Sequence, residues 1–340
     1  MKKHFCILGL LFFGMNLSAQ IINFPDINFK NKLLAASQLN NIAQDLDFGL
    51  NVKIDLNNDG EIQVSEAQAI SWLNLDNTPG GSNDIVNLSG IEYFTNVWFL
   101  SFSNNSVTNL SLSNLNNLTH LFCNDNNMSS INLSNLNGLQ ILLCQNNNLT
   151  TLSLSNLPSI KEVNCSSNDN LTMVSLQNLN NFKKLTAPYS NISTLTLSNL
   201  PLFEDISINN NLLTNLDISG FTNLKSIQCT NNQLTSLNVS TLSNLAFLSC
   251  GNNLLTQLDV SNMPYLESLI CAGNQIESLD VSHSPLLTLF YCFGNNLRQL
   301  YMKNGVDYAF QSTNGYPNYY NLRPNPNLTY VCADENKISS

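Results

Sequence analysis

The stretch Ile141-Leu142-Leu143-Cys144-Gln145-Asn146-Asn147-Asn148-Leu149-Thr150-Thr151-Leu152-Ser153-Leu154 carries the pattern that the rest of the chain repeats. Within it, apolar and polar residues alternate twice, at L-x-C and again at L-x-L. Alternation with period two marks short strands. Aligned on L-x-C-x-x-N, an Asn column runs through Asn105, Asn126, Asn147, Asn168, Asn211, Asn232, Asn253, Asn274 and Asn295, with Ser190 in one place. Every step has the length of that from Asn126 to Asn147, except the step into Ser190, where Asp169-Asn170 adds one residue. Three residues upstream runs a second column: Phe102, Cys123, Cys144, Cys165, Ala187, Ile208, Cys229, Cys250, Cys271 and Cys292.

So short a repeat cannot hold two strands and a three-turn helix. Each coil should be strand and turn, with its apolar columns pointing to a shared axis. Stacked coils then form parallel sheets and one continuous core. The Asn sits where the chain turns inward, and its amide can satisfy buried backbone groups there. Stacked copies are expected to bond one another as a ladder.

Composition follows from the repeat. Charged residues make up 11% of 340 residues, against about 25% in an ordinary domain, and roughly 60 asparagines fill much of the gap. The formal net charge of -10 argues against a nucleic-acid binder, which needs clustered Lys and Arg. Three His leave little room for His-based catalysis. His120 and His283 stand in separate repeats with no triad partner in the pattern. Asp217, Asp259 and Asp280 nearly align and read as a solvated stripe.

Lys2-Lys3, the short apolar run Phe5–Gly14 and the small residues Ser18-Ala19 read as a signal peptide over 1–19. No later apolar run is long enough to span a bilayer. The mature chain is expected to be secreted or at the cell surface. Nine Cys in such a chain invite disulfides. Seven of them, however, share a column with Phe102, Ala187 and Ile208, which is core behaviour. Neighbouring strands also present them side by side, a poor geometry for a bridge. They are expected to be free, buried thiols, and a linear column does not converge on a metal.

The repeat motifs resemble those of leucine-rich repeat proteins, in about ten copies over 85–302. Leu88-Ser89-Gly90-Ile91-Glu92-Tyr93-Phe94-Thr95-Asn96-Val97 resembles an internalin-type repeat, and the later units resemble the 21-residue class of secreted Bacteroidetes proteins. The resemblance implies a right-handed solenoid, mostly β with two short strands per coil. It also implies a non-catalytic binder of protein or glycan ligands. The runner-up is a structural or adhesive spacer of a larger surface protein. A monomer with no nucleic-acid partner and no transmembrane segment is expected. Residues 303–340, rich in Tyr, Asn and Pro, read as a C-terminal cap, and Leu328–Cys332 resembles one more strand.

Residues 20–84 precede the repeats as a small helical N-terminal cap, with a helix expected over Phe29–Leu39. Within it, Asp55-Leu56-Asn57-Asn58-Asp59-Gly60-Glu61-Ile62-Gln63-Val64-Ser65-Glu66 fits the EF-hand loop rule. Asp55, Asn57 and Asp59 stand at positions 1, 3 and 5, and Gly60 at the turn. Glu61 offers its backbone carbonyl, Gln63 a water-mediated contact, and Glu66 closes the loop as a bidentate ligand. Structural calcium is the expected cofactor, with an exit helix over Ser65–Trp72. Val52-Lys53-Ile54 reads as strand rather than entering helix. The candidate ligand-binding residues are outward positions of the L-x-C strands: Phe99, Phe122, Ile141 and Leu143 toward one end, and Phe247, Ile270, Tyr291 and Phe293 toward the other. Exposed aromatics on a polar scaffold signal binding.

Overall fold

The computed structural model describes residues 20–47, 49–306 and 320–334. The proposed signal peptide and half of the C-terminal cap region, Tyr308, Phe310, Tyr316 and Tyr319 included, lie outside the described residues. The L-x-C strands stack into a 13-stranded sheet. From Ile70–Asn74 onward it is parallel and in register, as in Leu121↔Leu142, Leu142↔Val163 and Leu248↔Leu269. The inward columns are fully buried: Leu100, Leu121, Leu142, Leu185 and Leu248 in one, Cys123, Cys144, Ala187, Ile208 and Cys250 in the other. Each buried Leu contributes roughly 1.5–3 kcal/mol, and the coils share that core continuously.

The second strand of the coil forms in two blocks. Thr151–Ser155, Met173–Gln177 and Thr194–Ser198 make one three-stranded sheet, and Ser278–Asp280, Gln299–Tyr301 and Tyr330–Cys332 another. The side chain at the centre of L-x-L tracks this division. Asn87, Asn132, Asp217, Asn238 and Asp259 each accept hydrogen bonds from the backbone N–H and hydroxyl of the Ser two residues on. This local turn competes with the ladder. Asp280 makes half of it, to the Ser282 N–H, and its strand is short. Ser153, Ser175 and Thr196 make no such turn, and there the strands are longer; Ser111 makes none either, yet no strand forms around it.

The Asn column is buried and bonds to backbone. Asn126 Nδ2 donates to the carbonyls of Cys123 and Phe102, its own and the preceding coil, at 3.2 and 3.1 Å, while its Oδ1 accepts from Val107 N–H at 3.0 Å. These side chains join coils through main chain. They do not form the Asn-to-Asn ladder expected from the repeat, because the backbone groups of the inward turn claim the whole amide. A side-chain ladder does exist one residue earlier, on the surface: Asn231 donates to Asn210 and Asn252 to Asn231. That column holds left-handed backbone, with φ of 56° at both Asn210 and Asn231. Asn tolerates this conformation better than most residues. Ser190 replaces Asn for a local reason. In the longer coil the Leu171 N–H turns onto Asn168 O, and Ser190 Oγ accepts from Asn168 N–H instead.

The cap differs from expectation in detail. Its helix is Ile27–Leu34, started by Asp26, whose carboxylate accepts from the N–H groups of Asn28 and Phe29. The same carboxylate accepts from Val86 and Asn87 N–H, tying cap to first coil. The helix ends before Leu39 because Asn40 Nδ2 bonds the Ala35 carbonyl and Ser37 begins a turn. Val52-Lys53-Ile54 forms no strand; Ala43–Asp45 does, antiparallel to Ile70–Asn74. The exit helix is one turn, Val64–Ala67. Ile70–Asn74 is strand, because its residues gain ladder bonds against the first repeat, with Trp72↔Phe99 and Leu73↔Leu100.

Beyond residue 302 the stacking continues. Tyr320–Asn321 joins the main sheet against Phe290-Tyr291, and Tyr330–Cys332 pairs with Gln299–Tyr301. Asn325 takes the ladder position, donating to Cys292 O at 3.0 Å.

Candidate ligand face and metal loop

The outward side chains of the long sheet form two apolar patches around a polar centre. At the cap end, Trp72 stacks on Phe99 at 4.9 Å and 9°, close to the strand spacing. Phe99 meets Phe122 edge-on at 5.0 Å, and Trp98 meets Phe99 and His120 at 5.9 and 5.6 Å. Ile141 stands beside His120 and Leu143 beside Phe122. Trp98 is 42% exposed, and the others are half-buried by one another. The residue pattern alone did not single out Trp72, Trp98 and His120, although an aromatic beside each strand was the available signal.

Toward the other end, Phe247, Ile270, Leu289, Tyr291 and Phe293 are half-buried on the same face, with Ile270 in register with Tyr291 and the Tyr291 and Phe293 rings 6.4 Å apart. The centre between the patches is charged. Glu162, Lys184 and Asp205 follow one another in register. Glu204 accepts from Lys225 at 2.9 Å and Lys183 at 3.2 Å, and these bonds hold its carboxyl below the usual range. Burial, then the Glu204 charge, pushes Asp205 up.

The cysteines of the column are free and buried, and among the described residues there is no disulfide. Burial pushes Cys165 and Cys250 up to about 12 and Cys144, Cys229 and Cys271 well above their ordinary value. Such thiols are inert as nucleophiles. A shallow groove of about 450 Å³ over the second strand set is lined by Val86, Ser89, Thr108 and Ser111. It holds one carboxylate, Glu92, already bonded to Gly90 N–H.

The acidic loop folds tightly. Asn58 and Gly60 adopt positive φ of 60° and 78°, turning backbone N–H groups inward. Asn57 Oδ1 accepts from Asp59 N–H, Asp59 Oδ1 from Glu61 N–H, and Asp55 Oδ2 from Gly60 N–H. Gln63 donates to Asp59 Oδ2 at 2.9 Å. Glu66 is buried, and its two oxygens accept from Leu56 and Gln63 N–H at 2.8 and 2.9 Å. Glu61 turns outward to Lys30 at 2.7 Å, leaving only its backbone for the loop. Among the described residues no three His, Cys, Asp or Glu side chains gather closely enough to hold a metal alone. The loop offers a mixed set of carboxylate, amide and carbonyl oxygens.

No protein-family model and no curated protein matches the chain. Solved structures do. The functional domain of InlJ from Listeria monocytogenes, which includes a cysteine ladder, is 23% identical with a TM-score of 0.60, over 93% of this chain and 61% of that one. An internalin (inlF) from Listeria monocytogenes is 19% identical with a TM-score of 0.52, over 91% and 95%. Toll, solved in complex with Spatzle from Drosophila, gives 19% and 0.61, over 73% and 38%. The chain thus spans about three fifths of the InlJ structure. The fold is a leucine-rich repeat solenoid, as the repeat motifs implied. Its neighbours include internalin-type proteins, and among the described residues no helix is long and apolar enough to cross a membrane.

Proposed function

We propose that the chain is a secreted or cell-surface, non-catalytic module that holds a protein ligand on the outward face of its long sheet. One observation carries this reading: two apolar patches flank an ion-paired centre on a single continuous face. Leu143 and Phe247 lie five strand steps apart, about 24 Å at the usual strand spacing of about 4.8 Å. A ligand touching both is macromolecular. The ring geometry favours protein over glycan. Trp72 and Phe99 spend their faces on each other, whereas a sugar stacks on an open ring face. Ring edges and half-buried aliphatics suit inserted apolar side chains, with the central charges setting register. Toll, one of the structural neighbours, was solved as a complex with Spatzle.

The test is a binding screen of the intact protein against an extracellular protein panel and a glycan array, repeated with Phe122→Ser and Tyr291→Ser. Protein binding lost in both variants, with melting unchanged, supports the reading. Glycan binding alone, or protein binding indifferent to both substitutions, overturns it.

A further inference from the structure

The acidic loop satisfies its own polar groups, with one exception. Asp55 is 5% exposed, and its Oδ1 has no hydrogen-bond partner among the described residues. Its Oδ2 faces the loop, accepting from Gly60 N–H. A buried carboxylate oxygen is strongly disfavoured unless a donor or cation stands before it. Charge adds to this. Asp55, Asp59 and Glu66 point into or across the loop, while Lys53, just before it, lies 3.9 Å from Asp55 and bonds Asn58. The donors are all oxygens, with no thiolate or imidazole, which suits a hard cation of flexible coordination rather than zinc.

The loop is wired to the ligand face. Glu66 holds both ends of the loop through Leu56 and Gln63 N–H and belongs to helix Val64–Ala67. The residue after the helix, Gln68, accepts from Asn96 of the first coil at 2.7 Å. Strand Ile70–Asn74 follows, carrying Trp72 onto Phe99, and Ser71 O accepts from Trp98 N–H.

We infer that Asp55, Asn57, Asp59, the Glu61 carbonyl and Glu66 bind one calcium ion, and that the ion fixes strand Ile70–Asn74 and with it the Trp72–Phe99 end of the apolar face. This inference concerns the cap and stands whether or not the face binds a partner. The chain's two tryptophans, Trp72 and Trp98, both lie at that end and report on it.

The experiment titrates calcium chloride into chelator-treated intact protein by calorimetry and by tryptophan emission, with magnesium chloride as comparison. The expected result is one site per chain, an emission change with the same midpoint, and a melting temperature higher in calcium than in chelator. Glu66→Gln weakens binding by at least about tenfold. Asn57→Ala weakens it severalfold. No heat and identical melting with and without calcium overturn the site. Binding unaltered in both variants overturns its placement, and saturable binding that leaves tryptophan emission unchanged overturns the link to the face.

Discussion

Asn232 Nδ2 donates to Ile208 O of the preceding coil at 3.0 Å, and to Cys229 O of its own coil at 3.1 Å. The same side chain accepts from Leu213 N–H. One amide thus closes three buried backbone valences between two coils. Asn232→Ala leaves the Leu213 N–H without a partner, while Ile208 O keeps Asn211 and Cys229 O keeps Asn253, and is expected to cost about 1–3 kcal/mol. Asn232→Asp should cost as much, because it sets a buried carboxylate oxygen against the Ile208 and Cys229 carbonyls. Chemical denaturation reads both, and a loss near zero in either variant would mean that the column only fills space.

The cysteine column makes a second prediction. Cys123 and Cys144 donate to the Leu143 and Asn164 carbonyls, and burial pushes Cys292 up to about 12. Native protein treated with iodoacetamide near pH 8 should be modified only at half-buried Cys332 among the described cysteines. The column should label only after denaturation. Mass spectrometry decides, and labelling of Cys250 in native protein would contradict the packing.

These two predictions rest on columns that are legible in the sequence, because a core repeated in every coil writes itself into the residue pattern. What stayed illegible depends on competition between local bonds. Both L-S-L and L-D-V read as strand, yet Asp259 turns onto Ser261 and forms none while Ser153 lies within one. Trp72 fell within an expected helix. The pairing that made it strand, Trp72↔Phe99, is a tertiary contact that no local pattern announces. Asn325 was hidden because it follows Asn295 by more than the regular step of the column. The acidic-loop residues and the outward aromatics were visible as residue types. Their neighbours, Trp98 and His120, became apparent only when adjacent strands placed the rings together.

The left-handed column yields a stabilising substitution. Asn and Gly fill most of it, but Tyr189 stands there with φ of 57° and is 64% exposed. A bulky residue in this conformation carries a steric cost of roughly 1–2 kcal/mol that Asn partly escapes. Tyr189→Asn should raise stability by about 1 kcal/mol. The reverse kind of change, Gly273→Ala, should destabilise, since φ is 68° and the new methyl group would lie 2.2 Å from Asn252 Oδ1. Thermal melts of the two variants should move in opposite directions.

His120 gives the cap-end patch a pH dependence of defined sign. The Thr119 hydroxyl lies 3.0 Å from Trp98 O and 2.8 Å from His120 Nδ1. The ring packs against Trp98, Phe99 and Phe122. Burial, and then the Lys161 charge, hold the imidazole below its ordinary value of 6.5. Between that lowered value and 6.5 the unfolded chain binds more protons than the native one. Stability contributed here is full above about pH 6.5 and is lost as pH falls below it. Melting temperatures compared at about pH 5.5 and about pH 7.5 should show a drop that His120→Gln reduces. A drop of the same size in that variant would assign the pH dependence to the carboxylates instead.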